Sequence, residues 1–144
     1  MEYKKHIVST KENQTFLHRT DKDLVDIIMQ EGLGCGPGGD ILGTATWQPN
    51  ELEKAENSYQ RTHKGSDAVV IVNIPSSKIN RRNRSSIAMT KGLGYFHQKR
   101  SEFAIRPEFV TGWIDKTNNE YHPNPHKNRV PPAGHERYES VLED

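Results

Sequence analysis

The chain has 144 residues, 32% of them hydrophobic, with a mean hydropathy of -0.89 and a formal net charge of +1. That is one domain's length with room for a small core, and the near balance of charge excludes a polycation drawn to nucleic acid by bulk attraction. A single cysteine, Cys35, excludes an intramolecular disulfide, and the longest apolar run, Ala68 to Val72, is too short to span a membrane.

Residues 1–14 are polar and read as an extended lead-in without the apolar stretch of a secretory signal. The expectation is a protein that acts in the cytoplasm of its producing cell, or is delivered into a target-cell cytosol by another route. Thr15 to His18 reads as a short strand. Residues 21–31 predict a helix with Leu24, Ile27, Ile28 and Glu31 on one face, Asp21 or Thr20 as cap and Gly32 as stop. Residues 32–43 hold six of the eleven glycines and predict a loop. Pro49 opens a second predicted helix, 49–61, with Leu52, Ala55, Glu56 and Tyr59 along one side. Asp67 to Ile74 is a β-branched strand stopped by Pro75.

Residues 76–101 are basic and polar with little periodicity and read as one long loop. Glu102 to Ile105 and Phe109 to Ile114 predict two more strands around Pro107. From Lys116 the chain is rich in Asn, His and Pro, which suggests an irregular tail. The order is not alternating βαβ, so the fold class is α+β: one domain with a lead-in at 1–14, a core at 15–115 and a tail at 116–144.

Three constellations can carry chemistry. His18-Arg19-Thr20 closes the first strand. The imidazole there can donate to a ribose hydroxyl or a carboxamide, and the Thr20 hydroxyl can bond a base edge or simply cap the helix. Thr44-Ala45-Thr46 precedes the helix that bears Tyr59. Its hydroxyls can brace a carboxylate and the Tyr59 ring can lie on a flat heterocycle, although a plain strand-to-helix turn needs the same residues. Glu102 opens a strand. A carboxylate there can stabilise an oxocarbenium-like transition state, or can be a solvated partner of Lys99 or Arg100.

The order and spacing of these segments resemble the ADP-ribosyltransferase superfamily, the catalytic domains of diphtheria- and cholera-type toxins, over about residues 14 to 126. In that family a His-x-Thr or aromatic-Arg motif closes the first strand and a helix ends at a glycine about fourteen residues on, as His18 and Gly32 do here. A Ser/Thr-x-Ser/Thr strand end, a helix with an aromatic residue and a β-branched strand ending in Pro follow; Thr44-Ala45-Thr46, Tyr59 and Val69 to Pro75 occupy those places. Ile105-Arg106-Pro107-Glu108-Phe109-Val110-Thr111-Gly112 looks like a variant of the strand after the catalytic Glu, and Asn124-Pro125 is similar to a late Asn-Pro pair.

The resemblance implies a split β-sandwich of two small sheets flanked by short helices, acting as an NAD-dependent mono-ADP-ribosyltransferase of toxin or effector type. It implies Glu102 as catalytic carboxylate and His18, Arg19, Thr20, Thr44, Thr46 and Tyr59 as NAD-binding residues. Tyr95 and Phe96, in the loop before Glu102, would recognise an unidentified protein or nucleic-acid acceptor. The sequence departs from the family at Leu42, where one branch has Tyr, at Ala45, the middle of the branch's Ser-Thr-Ser, and at Arg100, two residues before Glu102, where arginine-modifying members carry Glu.

Two other readings stand beside it. One is a non-catalytic module of the same fold that holds a nucleotide or protein. The other is a small nucleic-acid-binding protein using Arg81, Arg82, Arg84, Lys99 and Arg100, whose affinity would fall steeply with salt. No metal site is expected, since the seven histidines lack cysteine partners at structural-zinc spacing. The run Gly34 to Gly39 lacks the Gly-Lys-Ser/Thr of a phosphate loop, and Cys35 has no base in its motif. The chain is expected to act as a monomer, without a membrane partner.

Overall fold

The β-branched run at 68–72 organises the fold, because side chains that are apolar at every position need a cover on both faces of their sheet. The computed structural model of the protein describes residues 12–36, 46–47, 67–83, 86–88, 93–97 and 100–126. The described strands and helix, in chain order, are β1 (Asn13–Thr20), α1 (Lys22–Glu31), β2 (Leu33–Gly36), β3 (Thr46–Trp47), β4 (Ala68–Pro75), β5 (Asn80–Asn83), β6 (Ser86–Ala88), β7 (Gly94–His97), β8 (Glu102–Ile105), β9 (Val110–Asp115) and β10 (Glu120–Pro123). Short 3₁₀ turns occupy Ser76–Lys78 and Pro107–Phe109. The class is α+β: among the described residues, antiparallel sheets are joined by a helix.

The larger sheet is antiparallel, in the order β10-β9-β4-β1-β3, and the second is β2-β8-β7. A separate β5-β6 ribbon completes the described strands. On one face of β4, Ala68, Val70, Val72 and Ile74 join Phe16, Val110 and three helix residues, together with Leu33, Phe103 and Ile105 of the second sheet, in the main core. On the other face Val69 and Ile71 pack with Leu17, Ile114 and Tyr121. Each fully enclosed Val, Leu, Ile or Phe among them contributes about 1.5–3 kcal/mol relative to exposure.

The helix buries Ile28, as its sequence suggested, but the rest of its inward face is rotated from the expected one. Val25, Ile28 and Met29 are buried, whereas Leu24 and Ile27 are 50% and 41% exposed. Both stripes satisfy helical spacing; the start of the helix selects between them. Asp21 occupies the N-cap position without a side-chain cap bond. Instead, the Asp67 carboxylate, just before β4, accepts the Lys22 backbone N–H at 3.0 Å. The Lys22 ammonium reaches Asp115 at the end of β9, 2.8 Å away. These anchors set the rotation of the first turn and hence the buried stripe. At the other end Gly32, at φ 92°, closes the helix with its N–H on the Ile28 carbonyl. A Cβ there would lie 1.9 Å from the Ile105 carbonyl oxygen, so only glycine fits.

Two segments expected to be irregular carry regular structure. The stretch 76–101 contains β5, β6 and β7 in place of one long loop; strands of three or four residues are too short to display an alternation. The expected tail from Lys116 contains β10, which pairs with β9 from Glu120↔Asp115 to Pro123↔Gly112. Asn119 turns that hairpin at φ 60°, a conformation Asn tolerates, and His122 stacks on its cross-strand partner Trp113, ring centroids 4.7 Å apart. Buried Asn124 then donates its amide to the carbonyls of Pro107 and Val110 and fixes the chain beside the 3₁₀ turn. The predicted helix 49–61 lies outside the described residues. Among the described residues, no helix is long and apolar enough to cross a membrane.

Candidate functional site

Glu102 opens β8, as its strand-end position suggested, but β8 does not lie beside β1. It runs between β2 and β7 in the second sheet. Leu33, Phe103 and Ile105 face the main core, so alternation turns Glu102 and Ala104 to the opposite face. Gly34 is the register partner of Ala104. An ideal Cβ on Gly34 would fall 2.5 Å from Glu102 Oε1 and 2.7 Å from Oε2. The whole carboxylate therefore rests on a glycine floor. β2 changes register between Gly34 and Gly36, a one-residue irregularity beside this contact.

Arg100 approaches the same carboxylate, with its Nε 3.3 Å from Glu102 Oε2. The Glu102 side chain retains 23% exposure, enough to meet a ligand. Between the two, Ser101 adopts φ 49°, which doubles the chain back from Arg100 into β8. The Arg100 backbone N–H donates to His97 Nδ1 at 3.3 Å. His97 is 2% exposed and lies opposite Glu102 in the β7–β8 register. Its Nε2 meets Glu31 Oε1, on the last residue of α1, at 2.6 Å. Glu108, the next acid along the chain, pairs with Arg106 at 2.5 Å.

Of the predicted cofactor residues, His18, Arg19 and Thr20 fall on β1 and Thr46 on β3. His18 stands opposite Thr46 in the β1–β3 register and opposite Val70 of β4. Phe16 belongs to the main core, so half-buried His18 and buried Thr20 share its face. Arg19 follows Leu17 to the other face, opposite Val69, and is 7% exposed. The structure thus brings His18, Thr20 and the Thr46 position together and separates Arg19 from them. Thr44 and Tyr59 lie outside the described residues.

Tyr95 and Phe96 correct the expectation of rings displayed on a loop. Both sit in β7. Tyr95 is fully enclosed, and its hydroxyl donates to the Glu31 carbonyl at 2.6 Å. Phe96 packs edge-on against Phe103, centroids 5.2 Å apart. Rings so committed hold the second sheet together and clasp the end of α1.

The sequence reading missed His97, Glu31 and Gly34. His97 and Glu31 are 66 positions apart, and no spacing rule joins such residues. Gly34 was visible only as one glycine in a glycine-rich run. Among the described residues, no group of three or more His, Cys, Asp or Glu could hold a metal ion. A single carboxylate flanked by a guanidinium can accept hydroxyl protons in hydrogen bonds or oppose a developing positive charge. No protein-family model, curated protein or solved structure matches the chain.

Proposed function

We propose that the protein is an NAD-dependent mono-ADP-ribosyltransferase on a split β-sandwich of two small sheets. The observation that carries this reading is the Glu102 carboxylate, partly exposed at the head of β8 and seated on Gly34. In the proposed reaction the bond between nicotinamide and ribose C1′ breaks, and nicotinamide leaves with the bonding pair. Positive charge then builds on the ribose, and Glu102 opposes it more strongly in the transition state than in the ground state. The acceptor nucleophile bonds C1′ and sheds its proton. His18, Thr20 and the Thr46 position form the described part of the proposed NAD-binding surface on the larger sheet, whereas Glu102 stands on the second sheet; Thr44 and Tyr59 extend the surface in sequence. Arg19, on the other face, supports β1 from behind.

Glu102→Gln keeps size and hydrogen bonding while removing the charge. It should retain NAD binding by calorimetry and lose about a hundredfold in NAD cleavage, or about 2.7 kcal/mol. Near-normal turnover in that variant removes the catalytic assignment.

The Arg100–Glu102 pair favours a second reading, a nucleotide- or protein-binding module without transfer, because a guanidinium at 3.3 Å offsets the charge that catalysis needs. NAD binding with no nicotinamide release from the wild-type protein selects that reading.

A further inference from the structure

We infer that His97 is a positioning residue that aims Glu102 by anchoring the Arg100–Ser101 turn to the end of helix α1; the catalytic part of this inference rests on the function proposed above. The imidazole works from both nitrogens. Nδ1 accepts the Arg100 N–H, so in that arrangement it carries no proton. The ring proton is then on Nε2, which donates to the Glu31 carboxylate at 2.6 Å. One buried ring therefore bridges the last residue of α1 and the backbone of the turn that delivers Glu102.

The geometry explains why the turn needs an anchor. His97 and Glu102 are the closing pair of the β7–β8 hairpin, and the chain between them must reverse with Ser101 at φ 49°. That conformation is strained for a non-glycine residue, so it persists only where neighbouring contacts hold it. The Arg100 N–H bond to His97 is such a contact. The same residue's side chain returns to Glu102, so a shift of Arg100 moves both the backbone leading to Glu102 and the cation beside it. Tyr95, two residues earlier on β7, grips the Glu31 carbonyl as well. The end of α1 is thus a fixed post, and His97 ties the turn to it.

Asparagine and glutamine separate this role from simple packing. The Asn amide oxygen falls near the position of Nδ1 and can still accept the Arg100 N–H. The Gln amide falls near Nε2; it keeps the Glu31 bond and loses the turn anchor. Steady-state NAD cleavage should give His97→Gln a kcat reduced about tenfold, with KM for NAD unchanged, as expected for a misaimed group. His97→Asn should recover most of that loss. In parallel, hydrogen exchange at the Arg100 amide, followed by NMR, should be at least about tenfold faster in His97→Gln than in wild type and remain slow in His97→Asn.

Equal loss of kcat in both variants, with Arg100 still protected in His97→Asn, overturns the positioning role in favour of packing. Unchanged Arg100 exchange in His97→Gln overturns it outright, whatever the activity. If the wild-type protein releases no nicotinamide from NAD, the functional reading fails by itself. The exchange data then decide alone whether His97 anchors the turn.

Discussion

Adding one methyl group at Gly34 tests the placement of Glu102 without touching Glu102. The new Cβ would arise 2.5 Å from Glu102 Oε1, with Cδ and Oε2 each at 2.7 Å. Ordinary contact begins near 3.4 Å, so the carboxylate must retreat by about 0.9 Å. The obstructing atoms end a rotatable side chain, and an off-rotamer torsion costs about 1 kcal/mol. Gly34→Ala should therefore fold, losing no more than about that amount. A displacement near 1 Å at a reacting group can cost on the order of a hundredfold in rate. The assay pairs nicotinamide release from NAD with a thermal melt. Gly32→Ala is the contrasting control: its Cβ meets the Ile105 carbonyl oxygen at 1.9 Å, at φ 92°, and backbone cannot rotate away. That variant should lose several kcal/mol of stability, on the order of the strain and clash costs combined. A folded Gly34→Ala protein with wild-type kcat would refute the claim that the carboxylate works from its seat on Gly34.

Two further predictions concern stability. Asp115 is held at a pKa of about 2, below its ordinary 3.8, by the Lys22 ammonium and then by the Thr117 hydroxyl. A lowered folded-state pKa stabilises above the unfolded value, so the contribution is complete above about pH 4 and fades as pH falls toward 2. Its size is about 1–2 kcal/mol, reduced by the exposed end of Lys22. In urea unfolding, wild type should exceed Asp115→Asn at pH 7, and the gap should narrow as pH falls below about 4 and close only below the folded pKa of about 2; an equal gap at about pH 7 and pH 2 contradicts the linkage. Replacing Tyr95 by Ala should cost about 3–5 kcal/mol, because the ring is fully enclosed and the Glu31 carbonyl loses its donor. An unchanged melting temperature in that variant would show that the ring is not part of the core.

The parts of the fold that were legible in the sequence are those whose own pattern dictates their state. β4 is apolar at five successive positions, and Gly32 marks a helix end that no other residue could make. Glu102 was legible as a strand opener because Phe103, Ala104 and Ile105 follow it. The helix existed as expected, but its buried face was chosen by Asp67 and Asp115, 45 and 93 positions from Lys22. Such a choice lies in tertiary contact and not in periodicity. β7 was concealed by its length, so Tyr95 and Phe96 passed for loop residues. β10 was concealed by composition: Glu120, His122 and Pro123 are poor strand signals, and pairing with β9 and the stack on Trp113 supply what propensity lacks.

The central place of β4 has a consequence during synthesis. β1 pairs along its whole length with β4, from Thr20↔Ala68 to Asn13↔Pro75, whereas β3 offers it only Leu17↔Trp47 and His18↔Thr46. A ribosome adding about 5–20 residues per second leaves β1 without its main partner for roughly 2–10 seconds. Through that interval Phe16 and Leu17, almost fully buried in the finished protein, are available to other chains. The residues on either side of the pair are Asn13, Gln14 and Thr15 before it and His18 and Arg19 after it. Polar and charged neighbours of this kind keep a waiting strand from stacking edge to edge. Arg19, the member of its triplet turned away from His18, is the charged residue of that flank, the kind of residue that disfavours such stacking before β4 arrives.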